Sequence, residues 1–269
     1  MSLRDALCQG PWLERTRPFP HVVVREVFRP PIAAAISDAA CDLVYGPDPL
    51  RHFGWYDAYA CGFQDAASGP LAIFTSREWH DLIAQTMGVP ATGHVNGGIH
   101  HHPVGTADGF IHNDLNPVFF ARDPGPGEVV LPDQARVSYT LGGAAPGSVA
   151  REVVRCTTLI YYLGNPAWHV GDGGETALYA GTRRDHRYPE ARVPPVNNSM
   201  LLFNCTPTSF HAFTQNWRSE RNSIIMWLHA PPTAMARRYG AESFIRFKPR
   251  PAPTNTDINY IPGQPTGQA

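Results

Sequence analysis

Lysine is nearly absent from this chain: of 22 basic residues only Lys248 is one. Codon usage in a GC-rich genome would produce that skew, and it assigns no function. Neither sign of charge is in excess, because 22 Lys plus Arg face 23 Asp plus Glu. A net charge of -1 gives no broad positive field to hold nucleic acid or anionic lipid. No apolar run approaches the roughly 18 residues of a membrane span, and charges interrupt the N-terminal stretch where a secretory core would sit. A soluble, cytoplasmic protein with no nucleic-acid and no membrane partner is the expectation. The five cysteines (Cys8, Cys41, Cys61, Cys156, Cys205) are odd in number and contain no CxxC. A disulfide frame or zinc ribbon is therefore excluded, and buried, inert thiols are expected. No internal repeat is present.

What remains is apolar and rich in proline. At 269 residues, 43% hydrophobic and 11% aromatic, the chain can build a large core, and single β-barrels reach about 250 residues. The 27 prolines are excluded from helix interiors and central strands, which predicts short strands and long loops. His21 to Phe28 reads as a strand. Pro30 and Pro31 open a helix whose Ile32, Ile36, Ala40 and Leu43 share a face up to Gly46. Thr75 and Glu78 have capping-box spacing before a second helix, Arg77 to Met87, stopped by Gly88. From residue 99 the pattern becomes β: Ile99 to Pro103, Phe110 to Asn113, Val137 to Leu141, Arg151 to Leu163, Glu175 to Tyr179, Met200 to Asn204, Phe210 to Thr214 and Asn222 to His229. Such turn-punctuated strands predict a barrel or jelly roll. Gly- and Pro-rich loops fall at 116–134, 142–150 and 180–198, and an irregular tail at 248–269.

The chemistry concentrates in His100-His-His-Pro-Val-Gly-Thr-Ala-Asp-Gly-Phe-Ile-His-Asn-Asp114. On a strand, His112 and Asp114 project from one face. An imidazole and a carboxylate are two thirds of a two-His, one-carboxylate set, which suits Fe(II) and leaves open coordination positions. With 12 histidines in the chain, one H-x-D is close to what chance supplies, but a second block strengthens it. His211 lies in Ser-Phe-His-Ala-Phe, and ten residues on, Arg221-Asn-Ser223 begins an apolar strand. A buried guanidinium asks for an anion, and a carboxylate cosubstrate would supply one. Alternation along the histidine triplet turns His102 inward and His101 outward. His94, His169, His186 and His229 have no paired ligand pattern. Trp168 and Trp217 flank the proposed site and either line it or cap a core.

Together these residues resemble the Fe(II)- and 2-oxoglutarate-dependent oxygenases, in particular their prolyl-4-hydroxylase-like branch. The stretch Arg155 to Trp168 followed by Asp172-Gly-Gly-Glu175, and the opening Pro18-Phe-Pro-His-Val-Val-Val24, are similar to that branch as well. The resemblance implies a double-stranded β-helix of cupin type in one domain over residues 1–247, with 1–98 supporting a catalytic core at 99–229 and both helices on its outer face. It implies His112, Asp114 and His211 as iron ligands, and Arg221 as partner of the far carboxylate of 2-oxoglutarate, assisted by Ser223 and Tyr162. His102 stands where the family commonly has tyrosine. Fe(II), 2-oxoglutarate and O2 are the implied cofactors, and hydroxylation with release of succinate and CO2 the implied reaction. Halogenation is disfavoured, since related halogenases lack the carboxylate. The long loops predict a deep mouth and hence a small-molecule substrate, an amino acid or specialised metabolite, free or on a carrier protein or peptide. Alternatives are a protein or peptide prolyl hydroxylase, the same oxidative chemistry ending in desaturation, cyclisation or epimerisation, and a cupin-type binding module without catalysis.

Overall fold

The longest β-type run becomes the middle of the molecule. In the computed structural model, which describes residues 2–47, 50–52, 58–181 and 188–248, Arg151–Tyr162 is a strand whose residues are all buried from Val153 on. A strand covered on both faces reads as a continuous apolar run rather than an alternating one. Twelve strands are present among the described residues: β1 Trp12–Arg15, β2 His21–Arg25, β3 Arg51–His52, β4 Tyr59–Gly62, β5 Val95–His102, β6 Pro117–Phe120, β7 Arg151–Tyr162, β8 Thr176–Tyr179, β9 Ala191–Val193, β10 Ser199–Asn204, β11 Phe210–Phe213 and β12 Arg221–Ala230. The helices are α1 Leu3–Ala6, α2 Pro30–Tyr45, α3 Phe63–Ala66, α4 Arg77–Met87 and α5 Pro232–Tyr239. None is long and apolar enough to cross a membrane among the described residues.

The strands form two antiparallel sheets. The larger runs β1-β2-β10-β7-β12-β5-β4-β3, with β6 extending the edge of β7, and the smaller runs β11-β8-β9. One face of the large sheet presents Val24, Leu159, Tyr161, Met200, Leu202, Ile224 and Met226 to Ile36 and Ala40 of α2 and Trp79 and Ile83 of α4. Each fully buried large side chain there contributes about 1.5–3 kcal/mol. The opposite face turns Ile160, Tyr162, Leu201 and Phe203 toward Leu178 and Val193 of the small sheet. This is the expected jelly-roll core, with its helices on the outer face and its interior between the sheets.

Local chemistry explains the agreements and the departures. Helix α4 has its expected bounds, but Ser76 is the N-cap, not Thr75: the Ser76 hydroxyl accepts from the Trp79 N–H at 3.2 Å. Thr75 instead donates to the Ala72 carbonyl. Gly88 ends the helix in the left-handed region, at φ 60°. Ser76→Ala is expected to cost about 1 kcal/mol, read as a lower urea midpoint. Two expected strands are absent. At Phe110 to Asn113 only His112 pairs, with His211. The Asn113 side chain accepts from the Leu115 N–H and donates to the Pro207 carbonyl, so an Asx-type turn replaces the strand. At Val137 to Leu141, Asp133 gathers the N–H groups of Ala135 and Arg136 and closes turns despite the alternating sequence. The loop at 116–134 holds β6, and 180–198 holds β9. Residues 182–187 of that loop, His186 among them, and the tail beyond Lys248 lie outside the described residues.

Glycine is obligatory at one turn that positions the site. Gly173 has φ +79°, and a Cβ there would sit 1.8 Å from the Gln215 carbonyl oxygen. This close approach seats the segment entering β8 against the one leaving β11. None of the five cysteines is in a disulfide, but only Cys156 and Cys205 are fully buried; Cys8, Cys41 and Cys61 are partly exposed.

Candidate metal centre and cosubstrate pocket

His112 and His211 are brought together by backbone pairing. Each donates its N–H to the other's carbonyl, at 3.1 and 2.8 Å, and their ring centroids lie 4.4 Å apart. Both rings are oriented the same way. His112 Nδ1 contacts the Phe110 carbonyl at 2.9 Å and His211 Nδ1 the Ser209 carbonyl at 3.1 Å. A carbonyl only accepts, so Nδ1 carries the proton in each ring and Nε2 keeps its lone pair. Those lone pairs converge on Asp114: His112 Nε2 is 3.8 Å from Oδ1 and His211 Nε2 3.5 Å from Oδ2. Ligand atoms of the three residues all lie within 4.8 Å of one another. Although no strand carries His112 and Asp114, the structure brings that H-x-D pair together with the distal histidine on β11.

Asp114 is 2% exposed, and both of its oxygens are engaged. Its Oδ2 accepts from the Thr158 hydroxyl at 2.9 Å and the Trp227 Nε1–H at 2.8 Å, and its Oδ1 accepts from Arg155 at 3.1 Å. Burial alone would raise its carboxyl; the close approach of His211, with the Arg155 guanidinium and His112, holds it well below the ordinary carboxylate range. Burial of the inner edge of His112, and then the neighbouring His211, push that imidazole down to about 4. At neutral pH the trio is an anionic carboxylate beside a neutral imidazole with its lone pair free, the form in which a metal is ligated.

At the other end of the same cavity stands Arg221, 2% exposed. Its Nη2 donates to the Thr176 hydroxyl at 3.2 Å. Its Nε is buried without a hydrogen-bond partner, and no acid pairs with it among the described residues. The guanidinium lies 5.3 Å from the centre of the Tyr162 ring and 5.1 Å from that of Phe213, where cation–π attraction offsets part of its desolvation. Tyr162 is fully buried and shares a 2.7 Å hydrogen bond with Thr176, so its hydroxyl addresses the pocket through that residue. Ser223 sits across the sheet register from Tyr162. Its hydroxyl is buried and unpartnered, and it does not line the cavity. His102 faces inward, pairs in register with Arg221 and stacks on Phe213 at 4.2 Å. Burial, then Arg221, lower it well below an ordinary histidine. His101 points outward to Asn222.

Several functional neighbours were not singled out in the sequence. Thr158 and Trp227 were legible: strand alternation from Tyr162 and from Arg221 puts them on the inner face. Thr176 and Arg155 carried no such signal. Of the remaining histidines, His94 is tied to Thr92 and the Arg122 carbonyl, and His169 approaches Asp172 at the surface. Trp168 caps the glycine turn through the Gly173 carbonyl, and Trp217 is exposed. Neither tryptophan lines the cavity. The cavity encloses about 70 Å3, and none of residues 116–150 contributes to it, which corrects the expectation of a deep mouth from that loop. Those residues instead build a cluster behind Asp114 from Val118, Phe120, Val130 and Tyr139.

Buried imidazoles make the fold acid-sensitive. Burial lowers His21, His80, His94, His102 and His229, and takes His100 from 6.5 to about 4. The unfolded chain therefore binds protons first, and stability falls as pH drops from about 6.5 toward 4. Urea midpoints of the metal-free protein should decrease steadily across that window; a flat profile would contradict the neutral, buried assignment.

A jelly roll with two histidines and one carboxylate at its centre, and a lone buried arginine in the same cavity, has the donor set that suits a non-haem iron centre. Residues 144–229 match the family model described as the 2OG-Fe(II) oxygenase superfamily. That match supports a 2-oxoglutarate-dependent dioxygenase, with Fe(II), 2-oxoglutarate and O2 as its cofactors. The matched segment holds Tyr162, His211, Arg221 and Ser223. Solved structures similar to the chain include a Pseudomonas putida prolyl-4-hydroxylase (13% identity, 82% of this chain and 93% of that one, TM-score 0.48). A Phytophthora capsici prolyl 4-hydroxylase matches at 18% identity (88% and 64%, TM-score 0.49). A viral collagen prolyl hydroxylase of Paramecium bursaria Chlorella virus-1 matches at 14% (78% and 96%, TM-score 0.45). At such identities nothing about substrate follows. No curated protein matches the chain in sequence.

Proposed function

We propose that His112, Asp114 and His211 hold Fe(II), that Arg221 binds the far carboxylate of 2-oxoglutarate, and that the enzyme hydroxylates a C–H group presented on a peptide or protein, a prolyl-type substrate. The observation carrying the cosubstrate assignment is the buried Arg221 guanidinium without a carboxylate partner, in the cavity that the three ligands line. A charge so placed is stable only when an anion arrives, and a dicarboxylate reaching from the metal would bring one. Thr176 and Tyr162 orient the guanidinium, and the inward, neutral His102 offers one ring N–H beside it. Iron and 2-oxoglutarate, when bound, supply the oxidising power that breaks an unactivated C–H bond; the chain supplies position and exclusion of water.

The substrate class rests on the size of the enclosed space. Pockets that swallow a whole small molecule run to roughly 300–1,000 Å3, whereas the described residues enclose about 70 Å3. The cosubstrate fills such a space, and the substrate lies at the mouth. There Phe110 is 55% exposed and packs on His112, and the partly covered Ile225 and Trp227 line the same cavity. An apolar rim suits a ring offered by an extended chain. The small-molecule alternative loses its main support because loop 116–150 packs away from the cavity. The test is succinate release in the presence of a proline-containing peptide library and, separately, free amino acids, with mass spectrometry for added oxygen. Oxygen on peptide proline supports the proposal; oxygen on free amino acids alone overturns its substrate class.

A further inference from the structure

Arg155 has no place in the roles above, yet it is a buried cation in direct contact with Asp114. It reaches Asp114 because β7 carries an irregularity. Ser223, Ile225 and Trp227 pair with Tyr162, Ile160 and Thr158 on the inner face, but the register shifts after Leu228 and pairs His229 with Arg155. One extra residue in β7 reverses its alternation, so Cys156 joins the outer core and Arg155 turns in. Bulges that re-aim a side chain recur beside active sites.

The environment of Arg155 is built for one orientation. Its Nη1 donates to Asp114 Oδ1 at 3.1 Å and its Nε to the Tyr139 hydroxyl at 3.1 Å. The guanidinium stacks 3.9 Å from the centre of the Trp227 ring, and Phe247 covers it at 5.5 Å. Tyr139 is braced in turn by His229 Nε2 at 2.9 Å, whose Nδ1 is tied to the His94 carbonyl at 2.8 Å. Tyr139 comes from the 116–150 segment, which thus serves the metal centre from behind.

A carboxylate offers about two acceptor directions on each oxygen. On Oδ2 the Thr158 hydroxyl and the Trp227 N–H take both. On Oδ1 Arg155 takes one and leaves the other, on the side of His112. We infer that Arg155 is a positioning residue that restricts Asp114 to a single ligand oxygen and so keeps open a coordination position that a two-oxygen grip would fill. The chemistry needs those open positions for cosubstrate and O2. This rests on the metal and cosubstrate assignment proposed above.

The test compares the full-length wild type with Arg155→Met, Arg155→Lys and Tyr139→Phe, all checked for folding by circular dichroism. Anaerobic Fe(II) binding is measured first, then the visible charge-transfer band on adding 2-oxoglutarate, then turnover. Arg155→Met is expected to bind Fe(II) about as well as wild type, to bind 2-oxoglutarate at the metal about tenfold more weakly, and to lose about 10- to 100-fold in kcat, the size seen for groups that orient metal ligands. Arg155→Lys should recover part of both losses. Tyr139→Phe, which keeps the cation and removes its brace, should move the same readouts the same way by a smaller factor, and decides the matter if Arg155→Met fails to fold. An unchanged band and 2-oxoglutarate affinity in folded variants would overturn the inference. So would loss of Fe(II) binding itself, since the residue would then build the ligand set rather than restrict it. If the wild type shows no band, the metal and cosubstrate assignment fails, a different result from a normal wild type with normal variants.

Discussion

Alanine at Asp114 is expected to abolish measurable Fe(II) binding and turnover and, in the same protein, to lower folding stability by about 3–5 kcal/mol. Both effects have one cause. Asp114 is the sole carboxylate among the ligand atoms that converge within 4.8 Å, and without it two imidazoles with no anionic partner are left to hold a dication. It is also the ion-pair partner of a buried guanidinium: Arg155 and Asp114 side chains are 9% and 3% exposed. Removing one member of a buried pair strands the other, which costs about 3–5 kcal/mol. The Thr158 hydroxyl and Trp227 N–H lose their acceptor as well. His211→Ala separates the two effects, because it removes a ligand without stranding a charge; its metal binding should fall while its urea midpoint changes far less. Metal titration and urea unfolding of both variants check this. Full metal binding by the Asp114 variant would contradict the ligand assignment.

Arg221→Met is expected to do the opposite to stability. In the cosubstrate-free protein the guanidinium is buried with one hydrogen bond to Thr176 and an unpartnered Nε. Replacing a poorly compensated buried charge with an apolar side chain of similar length is neutral or stabilising by about 1–4 kcal/mol. The apo protein should therefore melt at the same temperature or higher. Cosubstrate binding should collapse, because the far carboxylate loses its charged partner inside a dry cavity. The expected rise in 2-oxoglutarate KM is at least roughly thirtyfold, the counterpart of about 2 kcal/mol. Fe(II) affinity should be unaffected. A variant that is both less stable and unchanged in KM would mean that Arg221 is a structural residue.

The candidate ligands and Arg221 were legible because their chemistry is concentrated in few residue types and their order along the chain is restrictive. The two long helices were legible because proline, a glycine stop and a periodic apolar face mark their bounds. What escaped has physical reasons. Phe110 to Asn113 has strand composition, but the Asn113 side chain competes for the backbone and turns it. Arg155 falls on the wrong parity of β7 and reaches Asp114 only through the register shift beside His229, which no composition announces. Tyr139 arrives from a segment that looks like an insertion at the mouth and packs behind the metal centre instead. Tyr162 was expected from the resemblance to help hold the cosubstrate carboxylate, and its hydroxyl is committed to Thr176 at 2.7 Å, a neighbour that no motif marked.

The central claim is that one cavity holds both an iron site and the anchor for 2-oxoglutarate. Anaerobic titration of the apoprotein with Fe(II) and then 2-oxoglutarate tests it without knowledge of the substrate. A weak visible charge-transfer band that requires both additions, is absent in His211→Ala and demands far more 2-oxoglutarate in Arg221→Met is the predicted result. Iron bound with no band at any 2-oxoglutarate concentration would contradict it.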